Sequence, residues 1–101
     1  MSGKAKQNLS SNSDPIQALM PKAGGTEEVT TGNRSSAVTS NVIRILGTSG
    51  TPRIRFGDIT VVADSTDPLL IVDVPEYFSI GVGQYVAVVD GTIEVSNMES
   101  N

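Results

Sequence analysis

The chain has 101 residues, of which 38% are hydrophobic and none is Cys or His. This length allows one domain, and the missing residue types exclude disulfides, zinc fingers, thiolate catalysis and histidine general bases. The net charge is −4, with four basic and three acidic residues in 1–40 but three basic and eight acidic residues in 41–101, so nucleic acid is not an expected partner because phosphate binding requires clustered Lys and Arg.

Residues 1–25 are predicted to form an extended N-terminal arm. Ser, Asn, Gly and Lys dominate this segment, which therefore buries too little apolar surface to offset the entropy of ordering. Asp14 and Pro15 favour the start of a short helix, and its apolar face would carry three residues, Ile16, Leu19 and Met20. The segment is either a tail with incidental hydrophobic residues or a short anchor that docks on a partner surface.

No apolar run in the arm is long enough for a secretory signal, and none in the chain is long enough to span a membrane. We therefore expect no membrane partner.

Strand patterns follow the arm. Residues 26–40 are rich in Thr, Ser and Val and are interrupted by Gly32-Asn33, which favours two short strands around a turn. The segments "NVIRILG" and "TPRIRFG" then predict a hairpin centred near Ser49-Gly50. In that hairpin Ile45 would face Ile54, Ile43 would face Phe56, and Arg44 would face Arg55.

The second half of the chain predicts further short strands. "DITVVA" precedes the turn "DSTDP", "LLIVDV" is apolar enough to be buried on both faces, and "PEYFSI" is extended after a proline. "GVG" forms a turn, and "QYVAVV" and "GTIEVS" are predicted to form a hairpin across Asp90-Gly91 before the polar tail "NMESN".

Seven or eight short strands with frequent turns indicate an all-β fold, a small antiparallel β-sandwich or jelly-roll-like barrel with an extended N-terminal arm. We place the arm at residues 1–25 and the β-sandwich domain at residues 26–101. A core formed by so few residues is marginally stable alone, and without disulfides or a metal site we expect self-association as a dimer or trimer.

Candidate chemistry is sparse in this sequence, and no catalytic residue, metal site or cofactor is predicted. Asp64, Asp67, Asp73 and Glu76 lie close together. Asp64 and Asp67 flank a predicted turn, where Asp binds its own backbone. The alternatives to this turn chemistry are a calcium site and a pair of glycosidase carboxylates.

Three arginines, Arg44, Arg53 and Arg55, are the candidate partner-binding residues of the body, together with Ile16, Leu19 and Met20 of the arm. Arg44 opposite Arg55 would be destabilising without a nearby acid. That acid is either Glu94 or Asp58 of the same chain, or a carboxylate of another chain, since Arg is favoured at interfaces. The aromatic residues Tyr77, Phe78 and Tyr85 are expected in the core rather than on a base-stacking surface.

Four segments in residues 40–97 carry a resemblance to a known group of proteins. They are Arg55-Phe56-Gly57, Val74-Pro75-Glu76-Tyr77-Phe78, Gly83-Gln84-Tyr85-Val86-Ala87-Val88-Val89 and Gly91-Thr92-Ile93-Glu94-Val95-Ser96. In this order they are similar to small virion proteins of tailed bacteriophages.

The resemblance implies a capsid decoration (cement) protein on the capsid surface, with the major capsid protein as partner and no enzymatic activity. A fibre or tail accessory protein, or a carbohydrate- or receptor-binding β module, is the alternative. Such a protein would use its area, its rigid β body and its arm, and many equal copies would add avidity.

Overall fold

The structure is a computed structural model that describes residues 19–100 and contains four strands there. They are β1 (Leu19–Val29), β2 (Val42–Gly57), β3 (Glu76–Ser79) and β4 (Tyr85–Ser100). Between residues 19 and 100 no helix has the length and hydrophobicity needed to cross a membrane.

The four strands form one antiparallel sheet in the order β1-β4-β2-β3. Its centre is the pair of long strands β2 and β4, with 16 residues each. Ile45 lies opposite Val95 in one half of this pair, and Ile54 lies opposite Val88 in the other half. The all-β antiparallel prediction is confirmed, whereas seven or eight strands are not, because residues 19–100 form a curled sheet of four.

The two predicted hairpins are wrong, because each of their turn signals lies inside a continuous strand. Gly50 of β2 lies opposite Gly91 of β4, and positive φ angles of 73° at Gly50 and 64° at Asp90 bend both strands at this crossing. Arg55 therefore lies opposite Ala87, and Arg44 opposite Ser96 and Tyr77. The predicted contact between the two arginines does not form.

Register shifts at the bend keep apolar residues on one face of the sheet. Along β2 the pairing shifts between Gly47 and Ser49 and again between Gly50 and Arg53. The buried positions of β2 change there from odd numbers to even numbers, and the buried aliphatic residues of β4 include Val86 and Val88 on one side of the bend and Ile93 and Val95 on the other. An extra residue in one strand reverses the alternation of side chains, so both halves of each bent strand face the same core.

Two segments without a strand of their own extend the sheet beyond the bend. Ser35 N donates to Val86 O at 2.8 Å, and Val38 N donates to Gln84 O at 2.8 Å, which fixes residues 32–38 beside β4. On the other side, Leu70 N donates to Pro52 O at 2.9 Å. The curled sheet therefore has main-chain partners along both long strands.

The core lies inside the curl. Its buried residues come from both halves of the sheet and from the flanking segments: Val29, Val38, Ile43, Ile45, Ile54, Leu70, Ile80, Val86, Val88, Ile93 and Val95. Phe56 and Phe78 pack against this cluster with their rings edge to face, 5.5 Å apart.

Two predicted strands between β2 and β4 are wrong. "DITVVA" begins with a turn in which Val61 N donates to Asp58 O at 3.0 Å. "LLIVDV" makes only isolated bridges at Leu69 and Val72, and in it only Leu70 is fully buried. The extended "PEYFSI" is confirmed as β3, and the "GVG" turn is confirmed by Gln84 N donating to Gly81 O.

Both ends of the described chain lie in strands. Leu19 and Met20 begin β1, so the predicted helix is wrong for them, while residues 14–18 of that prediction lie outside the described residues. The predicted arm ends at residue 25, but β1 continues past this position to Val29.

Residues 97–100 of the predicted polar tail belong to β4, where Met98 is buried. The sequence also predicts two short strands in residues 26–40. The first is part of β1, whereas the second does not form, and Arg34 makes only an isolated bridge there.

Candidate functional site

An arginine–aspartate cluster lies on the outer face of β2. Alternation along the strand places Arg53 and Arg55 opposite to the buried Ile54. Arg55 Nε donates to Asp67 Oδ1 at 3.0 Å and its Nη2 donates to Asp64 Oδ2 at 3.2 Å. Arg53 Nη1 donates to the main-chain oxygen of Asp67 at 2.9 Å. The two arginines thus fix the loop of residues 64–67 against the strand.

The two aspartates also shape their own turn, as predicted. Asp64 Oδ1 accepts a hydrogen bond from Thr66 N at 2.8 Å, and Asp64 N donates to Asp67 Oδ2 at 2.8 Å. Asp67 N donates to Asp64 O at 3.1 Å and closes the turn. The acid that neutralises Arg55 belongs to the same chain, but the residues are Asp64 and Asp67 rather than Glu94 or Asp58.

Hydrogen bonds contribute more than ion pairs to the lowered pKa values of Asp58 and Asp64. The hydroxyl and amide of Thr66 are the main reason that the pKa of Asp64 is lowered, and the Arg55 guanidinium lowers it further. Thr60 lowers the pKa of Asp58 in the same way. The hydrogen bond to Asp67 raises the pKa of Arg55 above its already high value. All these groups are charged at neutral pH.

The calcium alternative finds no support in the geometry. Among residues 19–100 no group of three or more His, Cys, Asp and Glu side chains is placed to hold a metal ion. The guanidinium of Arg55 occupies the position between the two carboxylates where a cation would bind.

An apolar groove opens beside the cluster and is lined by the second half of β2, by residues 67–70 and by β3. Its volume is about 300 Å³. The lining includes five apolar side chains, Ile54, Phe56, Leu69, Leu70 and Phe78, and three charged residues, Arg55, Asp67 and Glu76. This composition, apolar walls with few charged groups, is typical of binding pockets.

Exposed hydrophobic side chains are concentrated in the stretch of sequence between β2 and β4, which also supplies part of the groove lining. Within residues 19–99, nine large hydrophobic residues are at least 44% exposed, and two of them, Leu19 and Met20, begin β1. The other seven all lie between β2 and β4: Ile59, Val62, Leu69, Ile71, Val74, Tyr77 and Val82. Tyr77 is 55% exposed, so its predicted place in the core is wrong, whereas Phe78 does pack against the core.

The six predicted partner-binding residues are not brought together. Arg53 and Arg55 meet at Asp67, but Arg44 lies in the other half of β2 and forms no ion pair among the described residues. Leu19 and Met20 lie in β1 and are exposed, and Ile16 lies outside the described residues.

Sequence reasoning included Glu76 among four nearby acids but missed the groove around it. The available signal was a single charge at the start of "PEYFSI", a predicted strand. In comparisons with known proteins, no family model, no curated protein and no solved structure matches this chain.

Proposed function

We propose that this chain is a structural virion protein that decorates the outer surface of a capsid by binding its major capsid protein. The observation that carries the proposal is the set of seven exposed hydrophobic side chains between β2 and β4. A stretch of sequence that keeps this many large hydrophobic side chains in solvent favours burial of some of them against a partner.

The energetics of these side chains favour a binding role. Burying one Val, Leu or Ile against a partner contributes about 1.5–3 kcal/mol. Ile71 and Val62 are each 64% exposed and Ile59 is 58% exposed, so most of this contribution is still available to a partner. The rigid sheet below holds the segment at Pro52 and Ile54, through hydrogen bonds to Leu70 and Pro68.

The sequence resemblance supports the more specific form of the proposal. The segments that resemble bacteriophage virion proteins include the end of β2, most of β3 and most of β4. A decoration protein needs no catalytic step; it needs contact area repeated over many copies, which converts weak contacts into avidity. We propose that copies also associate with one another as a dimer or trimer on the capsid surface.

Co-sedimentation with particles tests this function. Purified protein is added to phage particles that lack it, and bound protein is separated by centrifugation. We expect saturable binding, and we expect the double variant Ile71→Ser with Val74→Ser to bind at least about tenfold more weakly because two anchors are lost. Both residues are exposed, so their replacement leaves the fold intact, which circular dichroism checks.

The matched control is Ala37→Ser, which changes another exposed apolar residue outside this segment. It should bind like the wild type. The proposal is contradicted if the wild-type protein stays in the supernatant at every concentration.

A second function, a carbohydrate- or receptor-binding module, is favoured by one observation. The groove of about 300 Å³ combines the aromatic residues Phe56 and Phe78 with charged groups at its rim, and aromatic faces with polar groups suit a small ligand. A glycan array tests it: a hit that Phe78→Ala abolishes supports this function, and an array without hits contradicts the carbohydrate-binding form.

A further inference from the structure

Glu76 has an unusual position for an acidic residue. It lies opposite Ile45 in the pairing of β2 with β3, and Phe78 lies opposite Ile43. Residues that face each other across an antiparallel pair share one side of the sheet. Since Ile43 and Ile45 are fully buried, Glu76 lies on the core side of β3, at the mouth of the groove.

Glu76 forms no ion pair among residues 19–100, although the guanidinium of Arg55 lines the same groove. Both ion pairs formed there belong to Arg55, which binds Asp64 and Asp67. The three charged residues that line the groove, Arg55, Asp67 and Glu76, therefore sum to −1. An acidic group beside apolar walls is complementary to a cation that has an apolar stem.

Lysine has this chemistry. Its four-carbon stem packs along apolar surface while its ammonium group reaches a polar partner. The stem would contact Phe56, Phe78 and Leu69, and the ammonium group would contact the carboxylate of Glu76. A groove of about 300 Å³ is at the small end of ligand sites, which suits one side chain.

We propose that this groove is the binding site for a lysine side chain of the partner protein. Only the identity of that partner rests on the proposed function; the chemistry of the groove does not.

The competing role for Glu76 is protection of an edge strand, because inward-pointing charges on edge strands prevent pairing with other chains. β3 is such an edge strand.

The experiment is an NMR titration of the full-length protein with three probes that share one stem: n-hexylammonium, n-hexanol and n-hexanoate. We expect n-hexylammonium to bind most tightly and to shift the methyl signals of Leu69 and Leu70. Glu76→Gln should weaken n-hexylammonium about fivefold, which corresponds to about 1 kcal/mol, and leave n-hexanol unchanged. The control Glu99→Gln, which removes an exposed glutamate of β4, should change neither.

Equal affinity for n-hexylammonium and n-hexanol overturns the inference. So does a Glu76→Gln protein that keeps the preference for the ammonium probe, or one whose only change is aggregation, since that result assigns Glu76 to edge protection. Because the probes contain no capsid, selective binding of n-hexylammonium supports the inference even where sedimentation with particles fails. That failure contradicts the proposed function alone.

Discussion

The crossing of β2 and β4 depends on single residues, and Gly50 is the most constrained of them. Its φ of 73° lies in the left-handed region, and a Cβ atom there would lie 2.6 Å from the main-chain oxygen of Asp90. Gly91, opposite, would bring a Cβ onto the oxygen of Ser49 and within 2.9 Å of Pro52 N. Only glycine, which has no Cβ atom, fits at positions 50 and 91 of this crossing.

Substitution of Gly50 by Ala is therefore predicted to destabilise the fold strongly. We expect a loss of at least about 2 kcal/mol in the free energy of unfolding, measured by urea denaturation, because backbone strain adds to a clash with main-chain atoms. The control Gly83→Ala has a φ of 93° but open space around the added carbon, and should lose only about 1 kcal/mol. An equal loss in both variants would show that the clash makes no difference.

The acids of the loop after β2 predict how stability depends on pH. Hydrogen bonds from Thr60 and Thr66 lower the pKa of Asp58 and Asp64 below the ordinary value of 3.8. A carboxyl group whose pKa is lower in the folded state stabilises the fold above its unfolded pKa, and this stabilisation is lost as the pH falls through the folded pKa. The melting temperature should therefore decrease below about pH 4.

The double variant Asp58→Asn with Asp64→Asn is the comparison for this prediction. Its melting temperature should change less than that of the wild type between pH 5 and the acidic end of the series, because the two shifted groups are gone. Parallel curves for the two proteins would contradict the assignment of the acid sensitivity to these aspartates.

Sequence reasoning identified the turn chemistry of Asp64 and Asp67 but not their contact with Arg55. An Asp two residues before a Thr forms a local hydrogen bond that depends on neighbours in the chain alone. The contact with Arg55 depends on the loop folding back over β2, nine to twelve residues away. Local signals do not encode that path.

At the scale of elements, the turn signals predict the ends of strands, although the structure uses them as bends. "TSG" and "DG" favour positive φ, and both a hairpin and a bent strand require positive φ at these positions. Both arrangements also bury Ile43, Ile45 and Ile54. The two arrangements differ in the partner of each segment, which is the neighbouring segment in a hairpin but a distant strand in the structure. Hydrophobic alternation carries no information about that choice.

Engineered disulfides distinguish the two arrangements, because the chain has no Cys of its own. Leu46 and Glu94 are direct partners in the pairing of β2 with β4. A chain with Cys at both positions should form a disulfide on mild oxidation, since facing residues in an antiparallel pair have the spacing a disulfide needs. Mass spectrometry of peptides measures the yield of the cross-link.

The matched control places Cys at Arg44 and Arg55, which the hairpin arrangement would bring together. In the structure these residues lie opposite Ser96 and Ala87, respectively, so no intramolecular disulfide should form. Cross-linking of this second pair, with none of the first, would contradict the register of the sheet.

At the scale of the whole molecule, one curled sheet encloses one core and leaves the segment between β2 and β4 largely outside it. The sequence of this segment is as hydrophobic as a core strand, and the prediction that "LLIVDV" is buried depends on that property. Hydrophobicity predicts that a residue becomes buried, but it does not distinguish burial within the chain from burial against a partner.

The pairing of β1 with β4 predicts how a truncation behaves. Removal of residues 1–29 deletes β1 and with it Val29, which is 2% exposed, and opens the edge of β4. We expect that chain to aggregate, as unprotected edges do, and a soluble, cooperatively unfolding product would contradict the structural role of β1.

The proposal that this chain decorates a capsid is tested most directly by cryo-electron microscopy of particles that lack the protein, before and after the purified chain is added back. We predict additional density at regular positions on the outer surface of the capsid. That density should contact the capsid through the segment between β2 and β4, including Ile71 and Val74. Capsids without added density, or density confined to the tail, would contradict the account.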